Sequence, residues 1–480
     1  MSNVAVRRVS GYLSWLLPLL LAGCATAIIT PATEEQIGGR MDLELQQQVG
    51  LYQDASLSAY VDAVGKRLVA AMEPGPYTFR FHIIDQGEPN AFATPGGYIY
   101  ISRGLLAQLN SEAELAGILA HEISHVTRRH HAKQVGKQVG AGLLTLPGAV
   151  VGIVSEDLGN MINAPIEVAG QVVLASYSRG QESEADAYGM RLSSAAGYDP
   201  SELADALQGI ERTVEALTGE QYQATFFDTH PTTPTRVADI DRQAASLTWQ
   251  AQSPLTDRAG LYQRLSGLWW GEQNPQQGVF QAQTFRSSDL DIAITFPDNW
   301  KTINTPMFVG AGQPDGGAYV ALGTGERVED PSELADALTR KMREQAGISP
   351  AEQRDFRIGE WPATLVRYDD DSGSETVSLY YLFVTAPRET FTLMAMGLES
   401  YRDMLRQTAE SLRELSPEEA KYIGGLRLRT AERLAGESLA AFNQRVGNRW
   451  PGELTAAING IGTDAARSRQ LLKIARYEQY

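Results

Sequence analysis

From Met41 to Met72, apolar residues return every three or four positions (Leu57, Tyr60, Val61, Val64, Leu68). That spacing predicts a helix with one buried stripe. Glu73-Pro74-Gly75-Pro76 ends it. Thr78–Asp85 alternates, with Phe79, Phe81 and Ile83 against Arg80, His82 and Ile84, and predicts a strand. Asn90–Gly97 reads as a turn region and Tyr98–Ser102 as a second short strand. Ser111 and Glu114 have capping-box spacing and open a predicted helix running to about Lys133. Gly136–Val173 is rich in Gly, Ala, Leu and Val but holds Glu156, Asp157 and Glu167, so it is not a clean membrane span. Further helices are predicted over Ser178–Ala196, Pro200–Leu217 and Val237–Leu247, the last after a Pro- and Thr-rich turn at Thr229–Arg236.

The pattern changes near residue 250. Asp257–Trp270 reads as a helical connector and Asn274–Gly278 as a linker, which makes 251–285 a joining region. Alternating stretches at Leu290–Phe296, Ala318–Gly323, Ala363–Tyr368, Val377–Thr385 and Phe391–Gly397 predict strands. With helical runs at Pro331–Ala346 and Ser400–Leu415, residues 286–415 form a predicted domain of mixed helix and sheet. Asp369–Asp371, followed by Ser-Gly, reads as a hairpin turn rather than a calcium loop. A last segment, 425–480, opens and closes with strands (Leu426–Leu434, Leu471–Arg476) around helical runs at Ser438–Val446 and Pro451–Asn459.

Composition narrows the function classes. The chain has 480 residues, enough for about three domains at roughly 150 residues each. Its net charge of −17 argues against nucleic-acid binding, since nothing in it neutralises phosphate. One cysteine excludes an intrachain disulfide and a cysteine-built zinc site. At the N-terminus, Arg7 and Arg8 precede an apolar run from Tyr12 to Ala22 that is too short for a stable membrane anchor. The run ends in Leu21-Ala22-Gly23-Cys24, which resembles the bacterial lipobox. The resemblance implies a signal peptide over 1–23 and a lipid on Cys24. Losing Arg7 and Arg8 with that segment would take the charge from −17 to −19, so acyl chains, not charge, would hold the protein to a membrane. Ala25, where inner-membrane lipoproteins carry Asp, implies the outer membrane of a Gram-negative cell by the same resemblance.

The candidate chemistry sits in His121-Glu122-Ile123-Ser124-His125, inside the helix opened by Ser111. Positions 121 and 125 are one turn apart on one face, so both imidazoles can reach a single metal ion. Glu122 lies about 100° around the helix, near enough to contact a water on that metal. Zinc held by neutral histidines lowers the pKa of water to about 7, and Glu122 can take the proton as general base. A third ligand is needed to leave one position open. His130 and His131 fall off the metal-facing side of an extended helix and, with Arg128 and Arg129, read as an exposed basic helix end. The other source is Glu182-Ser183-Glu184-Ala185-Asp186. Glu182 and Asp186 share a face while Glu184 points away, but spacing alone does not choose the ligand among these acids.

The HExxH helix, Arg179-x-x-Glu182-x-Glu184-Ala185-Asp186, and Asn90-Ala91-Phe92-Ala93 with its Gly-Gly turn together resemble the HtpX/CAAX-prenyl-protease family of gluzincin metallopeptidases. The similarity is greatest to its soluble, periplasmic, BepA-like members. It covers about residues 40–250, within a 24–250 catalytic domain. The resemblance implies one zinc per chain on His121, His125 and Glu182, with Glu122 as base and Asp186 holding a ligand histidine. It implies that His230, with Arg236 behind it, faces the site as oxyanion donor or as a latch on the open zinc position. It implies that Asn90, Ala91 and Phe92 begin a strand that seats an extended polypeptide through main-chain hydrogen bonds. Gly136–Val173 stands where integral members have a membrane hairpin and reads as an active-site cover. The tetratricopeptide repeats of BepA-like proteins are missing here. Residues 286–415 resemble a PsbP/Mog1-like α/β sandwich, and 425–480 a degenerate LysM module, which makes peptidoglycan or outer-membrane proteins candidate partners beside polypeptide substrates. The expected fold is therefore α+β: a mostly helical peptidase domain with a small sheet, then the sandwich, then the small terminal module. The expected function is periplasmic hydrolysis of unfolded or misassembled envelope proteins. The alternative is a latent or non-proteolytic scaffold acting through the C-terminal domains.

Overall fold

The computed structural model describes residues 30–131, 176–217, 226–231, 234–251, 256–371 and 375–480. The signal peptide expected over 1–23, Cys24, and the cover expected at Gly136–Val173 lie outside the described residues. Among the described residues no helix is long and apolar enough to cross a membrane.

The chain opens with helices α1 (Pro31–Gln48) and α2 (Ala55–Ala70), each started by a side-chain cap, Thr30 and Asp54 respectively. Strands β1 (Arg80–Ile84), β2 (Ala91–Thr94) and β3 (Tyr98–Ser102) form a sheet in the order β1-β3-β2. β1 runs parallel to β3 and β2 antiparallel to it. The β2–β3 turn uses Gly96 and Gly97 at φ +85 and +100, a region closed to most side chains. The four-residue helix α3 (Arg103–Leu106) leads from β3 to α4 (Glu112–Thr127). Ser111 caps α4, but Glu114 does not reach back to Ser111 as the capping-box reading expects. Its carboxylate accepts from the Asn110 N–H instead, at 2.6 Å.

Helix α5 (Arg179–Ala195) begins with a complete capping box of Ser178 and Gln181. It lies against α4 at close range: a Cβ on Gly189 would stand 3.0 Å from the His121 backbone nitrogen, tighter than ordinary contact, so glycine favours the approach. Helices α6 (Glu202–Ala216), α7 (Phe226–Thr229) and α8 (Pro234–Ala244) complete this region.

The expected single helix over Asp257–Trp270 gives way to two elements. Helix α9 (Arg258–Leu265) stops before Gly267, whose φ of +110 turns the chain, and Trp269–Trp270 form strand β4. β4 pairs with the strand Gly424–Arg433, which pairs with the strand Gln470–Gln479. Between those two strands come helices Leu439–Val446 and Gly452–Asn459. Tyr262, Trp269, Leu428, Trp450 and Ile458 belong to the same apolar cluster as Ile118 and Leu203, so both ends of the chain's second half pack on the helical region.

Between β4 and the strand Gly424–Arg433, a seven-stranded sheet carries the rest. It includes Ala318–Gly325, Trp361–Asp370, Val377–Thr385 and Thr390–Leu398, with all neighbours antiparallel. Its strands are apolar on both faces. Leu382 and Val384 enter one core with Leu393 and Leu405, while Tyr381 and Phe383 enter another against Leu338 and Met342 of helix Ser332–Ala346. A four-stranded sheet, with Ile292–Thr295 inside it, contributes Ile292 and Ile294 to the first core.

Candidate metal centre

Helix α4 is buried along nearly its whole length, including His121, Glu122 and His125. Polar groups there need partners, and α5 and the 226–236 segment bring them. His121 Nε2 stands 3.0 Å from His125 Nε2 and 3.2 Å from His230 Nδ1. Glu182 Oε1 lies 3.4 Å from His125 Nε2 and 3.2 Å from His230 Nδ1. One ligand atom from each of His121, His125, Glu182 and His230 fits within 4.8 Å of the other three, and all four residues are buried.

The surrounding hydrogen bonds leave lone pairs pointing inward. His121 Nδ1 faces Asp186 Oδ1 at 3.0 Å, which places its proton there and leaves Nε2 bare. His125 Nδ1 faces His130 Nδ1 at 2.9 Å, and His130 Nε2 faces Glu184 Oε2 at 3.3 Å. With His130 donating to Glu184, His125 must donate to His130, so its Nε2 is also bare. Two imidazole lone pairs 3.0 Å apart repel each other unless a cation lies between their directions. Nitrogen and carboxylate donors in this set suit zinc. The residues therefore fit the metal that the HExxH motif implies.

Charge follows the same plan. Burial opposes ionisation of Glu182, but His230, His125 and His121 outweigh it and hold the carboxyl well below its ordinary value. Burial likewise opposes Asp186, and Arg236 and His121 hold it low. Arg236 takes both Asp186 oxygens at 2.8 Å and also reaches Glu182 Oε2 at 2.8 Å. Burial raises the Glu122 carboxyl above its ordinary value. Neither Glu122 oxygen has a hydrogen-bond partner among the described residues, and Oε1 lies 3.5 Å from His230 Nε2. Burial disfavours the charged form of His230, but Glu122 and Glu182 outweigh it and raise its pKa.

Of the expected site residues, His121, Glu122, His125, Glu182, Asp186, His230 and Arg236 come together. Glu184 lies on the outer side, against His130 and Arg128. β2 is an edge strand of its sheet, paired on one side with β3, and its residues Ala91 and Phe92 are fully buried. The Phe92 ring turns away into a cluster with Leu45 and Ile84 and stacks on Tyr100. The Asn90 side-chain oxygen is buried without a hydrogen-bond partner among the described residues.

The reading of His130 and His131 as an exposed helix end is corrected. Helix α4 stops at Thr127, and Arg129 takes φ +57, so the chain folds back and helical spacing no longer applies. His130 is thereby wholly buried against His125. His131 contacts the Tyr177 hydroxyl. Two aromatic residues went unnoticed in the sequence. Tyr177 stacks on His125 at 3.7 Å and Phe226 on His230 at 4.4 Å. Their one available signal was proximity to Arg179 and His230 along the chain.

The sequence model of peptidase family M48 matches residues 55–244. The chain is similar to the beta-barrel assembly-enhancing protease of Yersinia pestis, 28% identical over 265 residues, covering 52% of this chain and 52% of that one. It is similar to the mitochondrial metalloendopeptidase OMA1 of Schizosaccharomyces pombe, 31% identical over 183 residues, covering 38% and 51%. It is also similar to the protease HtpX homolog of Paraburkholderia phytofirmans, 30% identical over 198 residues, covering 34% of this chain and 68% of that one. The chain spans about half the length of the first two relatives. With the HExxH helix, the converging donors and these matches together, the chain belongs to peptidase family M48.

Proposed function

We propose that this chain is a zinc-dependent endopeptidase of the Gram-negative envelope. In this reading it is anchored to the outer membrane by lipid on Cys24 and cuts unfolded or misassembled polypeptides. The observation that carries the reading is the convergence of His121 Nε2, His125 Nε2 and Glu182 beside the unpartnered Glu122 carboxylate.

His121, His125 and Glu182 would hold zinc, which when bound supplies Lewis-acid polarisation and acidifies water. Asp186 orients His121 through Nδ1, and Arg236 orients both Asp186 and Glu182. Glu122 takes a proton at Oε1 or Oε2 and returns it to the leaving amine. Its burial raises the carboxyl above its ordinary value, which favours holding the proton between the two steps. The side of β2 away from β3 would seat substrate as an added strand once uncovered. That mode reads main chain and suits segments without fixed structure. Glu122→Gln should keep zinc and lower casein cleavage by about 10²–10⁴-fold. Undiminished cleavage by that variant would remove Glu122 from the mechanism.

One observation favours a second reading, a latent resting state. His230 Nδ1 lies within 3.2 Å of both His121 Nε2 and Glu182 Oε1, so it can serve as a fourth donor. His230→Ala should raise proteolysis if His230 is a latch and lower it if it donates to the oxyanion.

A further inference from the structure

The joint between the proposed substrate strand and the metal-binding helix is gripped by residues far along the chain. That joint is helix α3 with residues 107–110, which run from β3 into α4. At its start, the wholly buried Arg103 donates to the carbonyls of Trp269 (3.0 Å), Gly271 (2.7 Å) and Glu272 (2.8 Å), and to Asp85. At its end, the Lys473 Nζ lies within hydrogen-bond distance of the carbonyls of Ala107 (2.9 Å), Gln108 (3.0 Å) and Leu109 (2.8 Å). The side chain is fully buried over the Tyr262 ring, and burial pushes its pKa well below the ordinary lysine value against the pull of Glu114. Asn459 fixes the Lys473 backbone by accepting from its N–H (2.7 Å) and donating to its carbonyl (2.9 Å). Tyr262 donates to Asn110 Oδ1, and the Asn110 N–H meets Glu114 in the first turn of α4.

We propose that Lys473 is a positioning residue for the active site. By holding three consecutive carbonyls, it sets how β3, and with it β2, stands relative to the His121–Glu122–His125 face. This rests on the peptidase reading above. Without the Lys473 Nζ, the Ala107 and Leu109 carbonyls lose that donor and the Gln108 carbonyl keeps only the Asn110 side-chain amide (3.0 Å), so the loop must rearrange to find water or new partners. A shift of about 1 Å at such a joint is enough to cost roughly 10²-fold in rate. The working unit therefore extends beyond residue 244, where the family match ends, to residues 258–272 and 424–480.

The test uses the full chain carrying Lys473→Met, which keeps most of the stem and removes the Nζ that meets the three carbonyls. Hydrogen exchange should accelerate over residues 103–118 while 424–433 and 470–479 stay protected. Zinc affinity, read by competition with a chelator, should fall about tenfold. On an unstructured substrate, kcat should fall with KM unchanged. Lys421→Met, at an exposed lysine, should change none of these. Tyr262→Phe loosens the same joint at Asn110 and should shift exchange and zinc affinity the same way by less. Unchanged zinc affinity and exchange in a folded Lys473→Met chain overturns the proposal. So does a Lys473→Met chain that unfolds while Tyr262→Phe leaves both readouts unmoved. A wild-type chain that cuts nothing sinks the peptidase reading alone, since exchange and zinc affinity need no substrate.

Discussion

The α4–α5 contact and the seven-stranded sheet bury their side chains by opposite means. Where α4 meets α5 the interior holds a polar cluster of histidines, carboxylates and Arg236, most of them oriented by a neighbour. The sheet encloses Val384, Leu393 and Phe391 on one face and Tyr381 and Met394 on the other, and its ion pairs lie at the surface. The first arrangement costs stability unless every polar group is satisfied, and it persists where chemistry needs it. The second gains from each buried apolar atom. The comparison teaches that substitutions in the sheet should act on stability and those in the helix pair on metal and activity.

The largest separation should come from Phe391→Ala. It removes a buried ring and should destabilise the sheet region by about 3–5 kcal/mol, read by urea unfolding, with zinc content unchanged. Loss of zinc there would break the comparison. Asp186→Asn should act in the other direction, weakening zinc about 10–100-fold while leaving the sheet's transition in place.

A pH measurement sharpens the point in chelator-treated protein. The Asp186 carboxyl is held below its ordinary value by Arg236 and His121 against the opposing effect of burial. Its contribution to stability is therefore whole above about pH 4 and lost as pH falls toward the depressed native value. Metal-free wild type should lose stability more steeply below about pH 4 than Asp186→Asn does. The smallest effect belongs to Arg354→Ala. Its ion pair with Glu352 is half exposed, so stability should change by less than about 1 kcal/mol.

Helix spacing in α2 and α4, and alternation at Ala363–Tyr368 and Val377–Thr385, were legible because periodicity is local. The parallel pairing of β1 with β3 was not, since strand partners are set by the packing of the intervening chain. Trp269–Trp270 read as helix because their partner strand lies some 150 residues later, at Leu426 and Arg427. Lys473 passed as one polar residue in Leu471-Leu472-Lys473-Ile474-Ala475. A lone lysine in such a run was the signal that it is buried with a purpose.

By itself the sequence determined which groups are available: two imidazoles one turn apart, a carboxylate beside them, and acids four residues apart on a second helix. Those relations follow from helix geometry alone. Only the tertiary structure decided which acid faces the histidines, that His130 turns inward behind Arg129, and that His230 and Lys473 arrive from distant positions. Such choices depend on the close approach at Gly189, the left-handed turn at Arg129 and carbonyls that only a far strand can satisfy. No short stretch of chain contains that information.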